Sequence, residues 1–454
     1  MFNNIIDKLH LKSLLYKFKS NIYISNIIWL VIDKILRLSI GIILSVFMAR
    51  VLGPQEFGKY SYIIAIAFFL GPIANVGFGG LIIKHLTYET ISKEKILGTS
   101  FVLQLILSLL SILGLSVYYV FFDNKIEVLY AVILSTSFLF QTSNIIKYYF
   151  ESIVKAKYFI IVENGAFVLT SVFRLCALYF YNTFNIFIFI LLLEPIFIFF
   201  GLIYVYNNKK KNKICDWKID LDLTYNLFKK SIPFIISGFS IMVYMKTDLI
   251  IINKLLGSAS SGLYSVALRL SEVYYTIPLI LMSTFSPLLN SSKKDGHHFF
   301  LIKLQKLMYL VILISILIIT FTMLFSDDLI YFLYGNNYAE SSSVLKIHIW
   351  TGLFVFIGII SGQWFLLENL QWLVLFKTIF GAILNIILNF LFIPEHGITG
   401  AALATLISQF FSVILLDWFF IKSRPIFYFN LKSIFTLPYF IILRLNYAIN
   451  KKIN

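Results

Sequence analysis

Charge is what this chain has least of. Only 13% of its 454 residues are Asp, Glu, Lys or Arg, where an ordinary soluble chain has about 25%. With 59% hydrophobic residues and a mean hydropathy of +0.87, no soluble domain could hide the apolar surface that results. Cysteine occurs twice, as Cys176 in an apolar stretch and Cys215 in a basic loop, so no disulfide framework is expected. The six histidines are scattered apart from His297-His298, and no Cys/His spacing fits a metal site. A Gly-x4-Gly-Lys-Ser/Thr phosphate loop is missing, and no loop is long enough for a nucleotide-binding domain. ATP bound to this chain is thereby excluded as an energy source. Alternating strands of about 10 residues are also missing, which excludes a membrane barrel.

What the chain has instead is long apolar runs. A bilayer core needs about 20 apolar residues per helical span. Twelve segments meet that length: residues 22–48, 59–83, 97–121, 127–149, 158–181, 184–206, 231–255, 262–288, 305–325, 342–367, 373–393 and 398–420. The fold class expected is an all-α integral membrane protein. Residues 1–21, with Lys8, Lys12, Lys17 and Lys19, read as a retained basic and amphipathic cytoplasmic segment, since no small-residue cleavage pattern follows them. The apolar stretch 433–443 is too short to span and reads as interfacial, within a cytoplasmic or interfacial tail over 421–454.

The formal net charge of +16 suggests nucleic acid until its distribution is examined. The basic residues sit in short loops between apolar segments, which is a mark of topology and not of a binding face. With the N-terminus inside, the inner loops hold 28 of the 38 Lys and Arg and the outer loops only Arg50, Lys59, Lys125 and Lys254. Both termini are therefore expected in the cytoplasm. The densest basic loop, 207–230, with Lys209-Lys210-Lys211 and Lys213, divides the spans into an N-terminal bundle (22–206) and a C-terminal bundle (231–420) of six each.

The chain also carries a second copy of one of its own loops. Residues 52–61 read Leu-Gly-Pro-Gln-Glu-Phe-Gly-Lys-Tyr-Ser, and residues 256–265 read Leu-Gly-Ser-Ala-Ser-Ser-Gly-Leu-Tyr-Ser. The pattern Leu-Gly-x4-Gly-x-Tyr-Ser recurs at an offset of 204, with a basic residue before each copy, Arg50 and Lys254. Each copy lies where one apolar segment gives way to the next. Because six is even, both halves enter the membrane in the same direction, as parallel repeats do.

A charge at mid-bilayer costs about 2.5–3.5 kcal/mol on insertion scales. Span 1 carries Asp33, Lys34 and Arg37; span 5, Glu163 and Arg174; span 6, Glu194 beside Pro195; span 7, Lys246 and Asp248; span 8, Arg269 and Glu272. Lys346 and His348 lie near the outer end of span 10, where Lys346 can snorkel. One reading makes Asp33–Arg37 and Arg269–Glu272 structural pairs along one helix face. The other turns Lys34, Arg37, Arg174, Lys246, Arg269 and Lys346 toward a shared cavity with cationic walls, suited to an anionic headgroup. On that reading Asp33, Glu163, Glu194, Asp248 and Glu272 are candidates for ion coupling. Gly71-Pro72 and Glu194-Pro195 are expected kinks, either static or flexing.

Residues 48–62, Met-Ala-Arg-Val-Leu-Gly-Pro-Gln-Glu-Phe-Gly-Lys-Tyr-Ser-Tyr, resemble the first external loop of the polysaccharide transporter family. These are the O-antigen and capsule-unit flippases of the multidrug/oligosaccharidyl-lipid/polysaccharide exporter superfamily. Gly262-Leu-Tyr-Ser-Val-Ala-Leu-Arg269-Leu, running on to Ser286-Pro287, is similar in kind, as is Ile393-Pro-Glu-His-Gly-Ile-Thr-Gly-Ala-Ala-Leu-Ala-Thr-Leu-Ile407. The resemblance covers about residues 22 to 420. It implies twelve helices in two bundles forming a V around a central cavity. It also implies transfer of undecaprenyl-pyrophosphate-linked sugar units across a bacterial inner membrane, from the cytoplasmic to the outer leaflet. Of the cavity cations it implies, only Arg269 lies inside a matching motif; Arg37, Arg174 and Lys246 are placed by span and facing. No catalytic residue, metal or cofactor is implied, only a coupling ion, H+ or Na+. The implied partners are the lipid-linked oligosaccharide, membrane lipids, and a polysaccharide polymerase and chain-length regulator; nucleic acid is not among them. Three alternatives stay open: a drug or cation exporter of the same superfamily, a peptidoglycan-precursor flippase, and a membrane-embedded polymerase. The first would want acids to dominate its cavity, the second commonly has fourteen spans, and the third needs a large outer loop.

Overall fold

The computed structural model describes residues 22–436 apart from Val76, Phe78, Glu89, Thr90, Asn124, Asn182 and residues 209–212. Residues 1–21 and 437–454, the Lys209-Lys210-Lys211 run and most of the expected interfacial stretch thus lie outside the described residues. Within them the chain is helical and holds no strand. An apolar chain has little alternative in lipid, because a helix satisfies its own backbone polar groups.

Ten helical stretches are long and apolar enough to cross a membrane. Two of these, Ile28–Tyr88 with 61 residues and Gln371–Phe419 with 49, are each long enough for two passes of about 20 residues. This is a multi-pass membrane protein. Its outer surface carries exposed Ile35, Leu113, Phe121, Leu317 and Ile387, as helices bathed in lipid would.

The expected loop at residues 49–58 is almost wholly helical. Helix α1 (Ile22–Phe69) runs straight through it and breaks at one residue, Gly53, with φ 70° and ψ 172°. Only glycine adopts that backbone without strain, and Pro54 after it has the fixed φ of a helix start. The second copy does the same 204 residues later. Gly257, with φ 88° and ψ 176°, separates the helix Leu221–Leu256 from the helix Ser258–Glu272. The duplicated sequence therefore encodes a duplicated backbone break.

Other departures have similarly local causes. Gly71-Pro72 does not kink a continuous helix: α1 stops at Phe69, and Gly71–Ala74 is a new four-residue helix with proline in its first turn. The fourth expected span is three short helices, Ile126–Ser135, Ser137–Gln141 and Asn144–Ser152. At its two interruptions the hydroxyls of Ser135, Thr136, Thr142 and Ser143 donate to carbonyls three residues back, competing with the helix ladder. The seventh span begins at Leu221, ten residues earlier than expected, behind an Asp220 cap. The Leu223 N–H and the Lys95 ammonium hold the Asp220 carboxyl below the usual carboxylate range. That contribution is complete above the usual carboxylate pKa and is lost as pH falls through the lowered value.

The chain forms two compact units. The first takes the chain through Leu52 and then Ile63–Phe239. Its core includes Ile82, Ile96, Leu97, Ile145, Phe159 and Leu202, with Trp217 packed against it and donating to the Tyr206 hydroxyl at 3.1 Å. The second takes everything from Ser240 on together with Gly53–Tyr62. The first copy of the repeated segment thus packs with the second copy. A Cβ on Gly58 would lie 1.7 Å from the carbonyl oxygen of Ser258, and one on Gly262 would lie 2.0 Å from that of Pro54. Ser61 and Ser265 hydrogen-bond through their hydroxyls at 3.2 Å. Each of these pairings maps onto its mirror by the same offset of 204, the reciprocity expected of two like segments meeting across a local two-fold axis.

Candidate functional site

In the first unit the membrane charges form one network. Asp33 and Arg37 are a turn apart on α1 and pair at 2.9 Å. The Arg37 guanidinium also reaches Glu194 at 3.3 Å and Glu163 at 3.7 Å, and lies 5.2 Å from the centre of the Phe167 ring. Arg174 pairs with the other Glu194 oxygen at 3.1 Å, and Lys147 with Glu163 at 3.0 Å. Glu163 and Arg174 share the helix Lys157–Phe180 and both turn inward, consistent with their spacing of eleven residues. Three acids thus face three bases. The Arg174 side chain is 8% exposed and that of Arg37 28%. The acids do not use every donor: among the described residues Arg174 Nε has no hydrogen-bond acceptor, and Arg37 Nη2 has only the Glu163 oxygen at 3.7 Å, too far for a hydrogen bond. Lys34 is exposed, unlike Arg37 three residues on.

The second unit is arranged differently. Arg269 does not pair with Glu272; its guanidinium stacks 5.1 Å from the centre of the Phe57 ring. Glu272 feels the charges of Lys246, Arg269 and Asp248, yet among the described residues none of Lys246, Arg269 and Glu272 makes an ion pair within 4 Å. Asp248 is buried, and among the described residues no cation lies within ion-pair distance of it. Its carboxylate accepts from the Tyr264 hydroxyl and the Asn389 amide, both at 2.7 Å, and from the Thr405 hydroxyl. Asn385 adjoins the node, accepting from Asn389 and donating to Thr405. Asn389 Oδ1 is buried and accepts no hydrogen bond among the described residues. Lys346 is at the edge, paired at 2.7 Å with an Asp327 carboxylate that is 69% exposed, a contact of the kind that contributes about 0–1 kcal/mol.

The family of polysaccharide biosynthesis proteins matches residues 47–343, well over half of the chain. The chain belongs to this family. A capsular polysaccharide biosynthesis protein, CapF, of Staphylococcus aureus is 25% identical over 175 residues, covering 38% of this chain and 43% of the relative. A probable low-salt glycan biosynthesis flippase, Agl15, of Haloferax volcanii is 26% identical over 197 residues, covering 42% and 40%. The chain thus spans less than half the length of these curated relatives. Among solved structures, an inward-facing multidrug resistance MATE family transporter of the MOP superfamily superposes with a TM-score of 0.66, at 13% identity, over 91% of this chain and 99% of that one. The lipid II flippase MurJ, in an inward closed conformation, does so with a TM-score of 0.64, at 18% identity, over 92% and 93%. At such identities the likeness shows the fold alone, one that this chain shares with these two proteins.

For this polysaccharide biosynthesis family member, sequence reasoning found the in-membrane charges but misjudged their company. Lys147, on the short helix Asn144–Ser152, is not among the candidate cations of the sequence, yet it belongs to the first unit's network. The Asp248 node leaves no charge pattern in the sequence, because its partners Tyr264, Asn385, Asn389 and Thr405 are uncharged and lie far from it in the chain, on Ser258–Glu272 and Gln371–Phe410. A second buried pair was missed too. Lys377 donates to both oxygens of Asp417 at 2.7 Å and to the Val413 carbonyl at 3.3 Å. That carbonyl lies within a π-helical turn, Phe411–Leu415, whose looser ladder leaves carbonyls free for a side chain.

Proposed function

We propose that this protein is a flippase. It moves undecaprenyl-pyrophosphate-linked oligosaccharide units from the cytoplasmic to the outer leaflet of a bacterial inner membrane, by alternating access and without catalysis. What supports the reading most is the unspent cationic capacity inside the membrane. Lys246 and Arg269 have no acid within ion-pair distance among the described residues, and the buried Arg174 Nε donates to no acceptor among them. A pyrophosphate brings several strong acceptor oxygens to such donors. Cations left over at such cost are functional by default. The relatives named for capsule and glycan assembly, and the lipid II flippase fold, point the same way. Twelve spans, two passes in each of the two longest stretches, cytoplasmic termini, and a polymerase and chain-length regulator as partners belong to this proposal.

Coupling to an ion is assigned to Asp248 on the same reading. Its carboxylate, the Thr405 and Tyr264 hydroxyls and Asn389 Oδ1 are oxygen donors of the kind that holds H+ or Na+, and among the described residues no basic side chain is bonded to the carboxylate.

Arg269→Ala and Lys246→Ala should each cut surface polysaccharide at least tenfold in a strain lacking its own flippase, while the protein accumulates normally in the membrane. Arg269→Lys should recover part of the export, since charge survives but the two-pronged donor geometry does not. Normal export by both alanine variants would reject these residues as headgroup ligands.

A further inference from the structure

The second unit contains a cavity of about 590 Å³, within the range of small-molecule sites. Three rings line it, Tyr244, Tyr275 and Phe365, along with aliphatic side chains and several hydroxyls. Those hydroxyls have already given their protons away. Ser361 donates to Asn430 Oδ1 at 3.1 Å, Thr378 to the Val374 carbonyl at 2.8 Å and Ser412 to the Gln409 carbonyl at 3.3 Å. Thr351 donates to the His348 carbonyl at 2.6 Å, so the Tyr275 hydroxyl is the donor in its 2.7 Å bond to Thr351. What Ser361, Thr378, Ser412 and Tyr275 have left is acceptor capacity. The bases on the wall are spent as well. Lys377 uses its three N–H groups on the two Asp417 oxygens and the Val413 carbonyl. The Ser271 hydroxyl donates to the Leu268 carbonyl at 3.0 Å, so His348 donates to it through Nδ1, and a neutral ring then has only an acceptor at Nε2. Asp248 already accepts three hydrogen bonds. Two polar side chains of the wall make no hydrogen bond among the described residues, the Glu272 carboxylate and the Gln409 amide.

The wall thus offers many acceptors and, in the Gln409 amide, one uncommitted donor group. A phosphate or a uronate brings acceptors to acceptors and meets the Glu272 charge, while Lys246 and Arg269, which act on Glu272 electrostatically, do not line the cavity. A hydrocarbon chain leaves Glu272 and Gln409 unpaired and cut off from water. A lipophilic cation pairs with Glu272 but brings no donors to the hydroxyl oxygens. An uncharged pyranose fits every part of the wall. Its hydroxyls donate to Glu272 and to the hydroxyl oxygens and accept from Gln409, and its C–H face lies against the electron-rich face of an aromatic ring. We infer that this cavity binds an uncharged sugar and discriminates against acidic ones, with Glu272 and Gln409 as the hydroxyl ligands. That the sugar is part of a lipid-linked glycan rests on the flippase reading; the preference for an uncharged ring rests on the cavity wall alone. Neither Glu272 nor Gln409 is among the headgroup ligands proposed above.

The methyl glycosides of glucose, galactose and mannose, each beside its uronic acid and its 2-amino counterpart, test this on the purified full chain in lipid nanodiscs, with saturation-transfer NMR as the readout. At least one uncharged glycoside should bind saturably, at least tenfold more tightly than its uronic acid and no more weakly than its amino counterpart. Glu272→Gln should weaken that glycoside at least fivefold and narrow its lead over the uronic acid, and Gln409→Leu should weaken it at least threefold. Binding of the uronic acid as tight or tighter would mean that Lys377 or His348 sets the charge, and tighter binding of the amino sugar would mean a cation site; either result overturns the inference. So does the absence of saturable binding by all three uncharged glycosides, or binding that both variants leave unchanged. If Glu272→Gln fails to accumulate, Gln409→Leu and the three charge states on the unaltered chain decide. A chain that binds the uncharged glycoside but moves no lipid-linked sugar would keep this site and reject the flippase, and the converse would reject this site only.

Discussion

Alanine at Gly262 should abolish surface polysaccharide export, and alanine at Gly58 should do the same. A Cβ at Gly262 would lie 2.0 Å from the Pro54 carbonyl oxygen, and one at Gly58 would lie 1.7 Å from that of Ser258. Both obstacles are backbone, so no rotamer change relieves them, and the two segments must separate by about 1 Å or more. Overpacking of this kind costs about 1–3 kcal/mol and here also breaks the bond between Ser61 and Ser265. Gly165→Ala is the control: its Cβ would meet nothing within 4 Å, and helix propensity favours alanine there by about 0.5–1 kcal/mol. Complementation in a flippase-null strain, with membrane levels of each variant measured beside it, checks the result. Full export by Gly262→Ala would mean that the contact between the two repeat copies has no part in transport.

Glu194→Ala should have the largest effect on the stability of the first unit. It withdraws the acceptor from Arg37 at 3.3 Å and from Arg174 at 3.1 Å together. The Arg174 side chain is 8% exposed, so its charge would be left in a poorly hydrated site with both a lost partner and an Nε already unsatisfied. Removing one member of such a pair typically costs about 3–5 kcal/mol. Thermal unfolding in detergent should therefore shift down by many degrees, and the protein should accumulate poorly. Glu194→Ala/Arg174→Ala should regain most of the loss, because both charges are gone, and Asp33 and Glu163 still hold Arg37. If the single variant melts like the unaltered chain, Arg174 finds another acceptor and the network is not structural.

These two predictions draw on different kinds of legibility. The repeated Leu-Gly-x4-Gly-x-Tyr-Ser segment could be read directly, since its glycines and serines meet their own copies and the offset of 204 survives into the contact. What could not be read was that the segment is helical. Its Gly-Pro start looks like a loop, yet a single glycine in a left-handed conformation suffices to break α1 and let it restart. The long apolar runs located the helical stretches long and apolar enough to cross a membrane, ten among the described residues, because hydropathy reports lipid exposure directly. Their internal breaks did not show, because hydroxyl back-bonding at Ser135–Ser143 and the π turn at Phe411–Leu415 leave no mark on hydropathy.

The candidate site was legible only as an inventory. Asp33–Arg37 follows from helical spacing, and the structure has it. The spacing of Arg269 and Glu272 suggests a pair just as well, but the guanidinium stacks on Phe57, more than two hundred residues away in sequence. Arg37 meets Glu194 across 157 residues and Lys377 meets Asp417 across 40. Periodicity within one helix carries no information about such partners, which depend on how helices pack. The distinction that matters most, between Arg37, Arg174 and Lys147, which meet acids in the first unit, and Lys246 and Arg269, which have no acid within ion-pair distance among the described residues in the second, exists only in three dimensions.

The most direct measurement is lipid translocation by the purified chain in proteoliposomes. A short polyprenyl-pyrophosphate oligosaccharide is placed in one leaflet, and its appearance in the other is followed by an impermeant enzyme that cleaves exposed sugars. The account predicts transfer well above protein-free vesicles, lost at least tenfold in Lys246→Ala/Arg269→Ala, and much slower for a carrier in which a neutral linker replaces the pyrophosphate. Transfer that is equally fast with the neutral linker, or unaffected by loss of both cations, would contradict it.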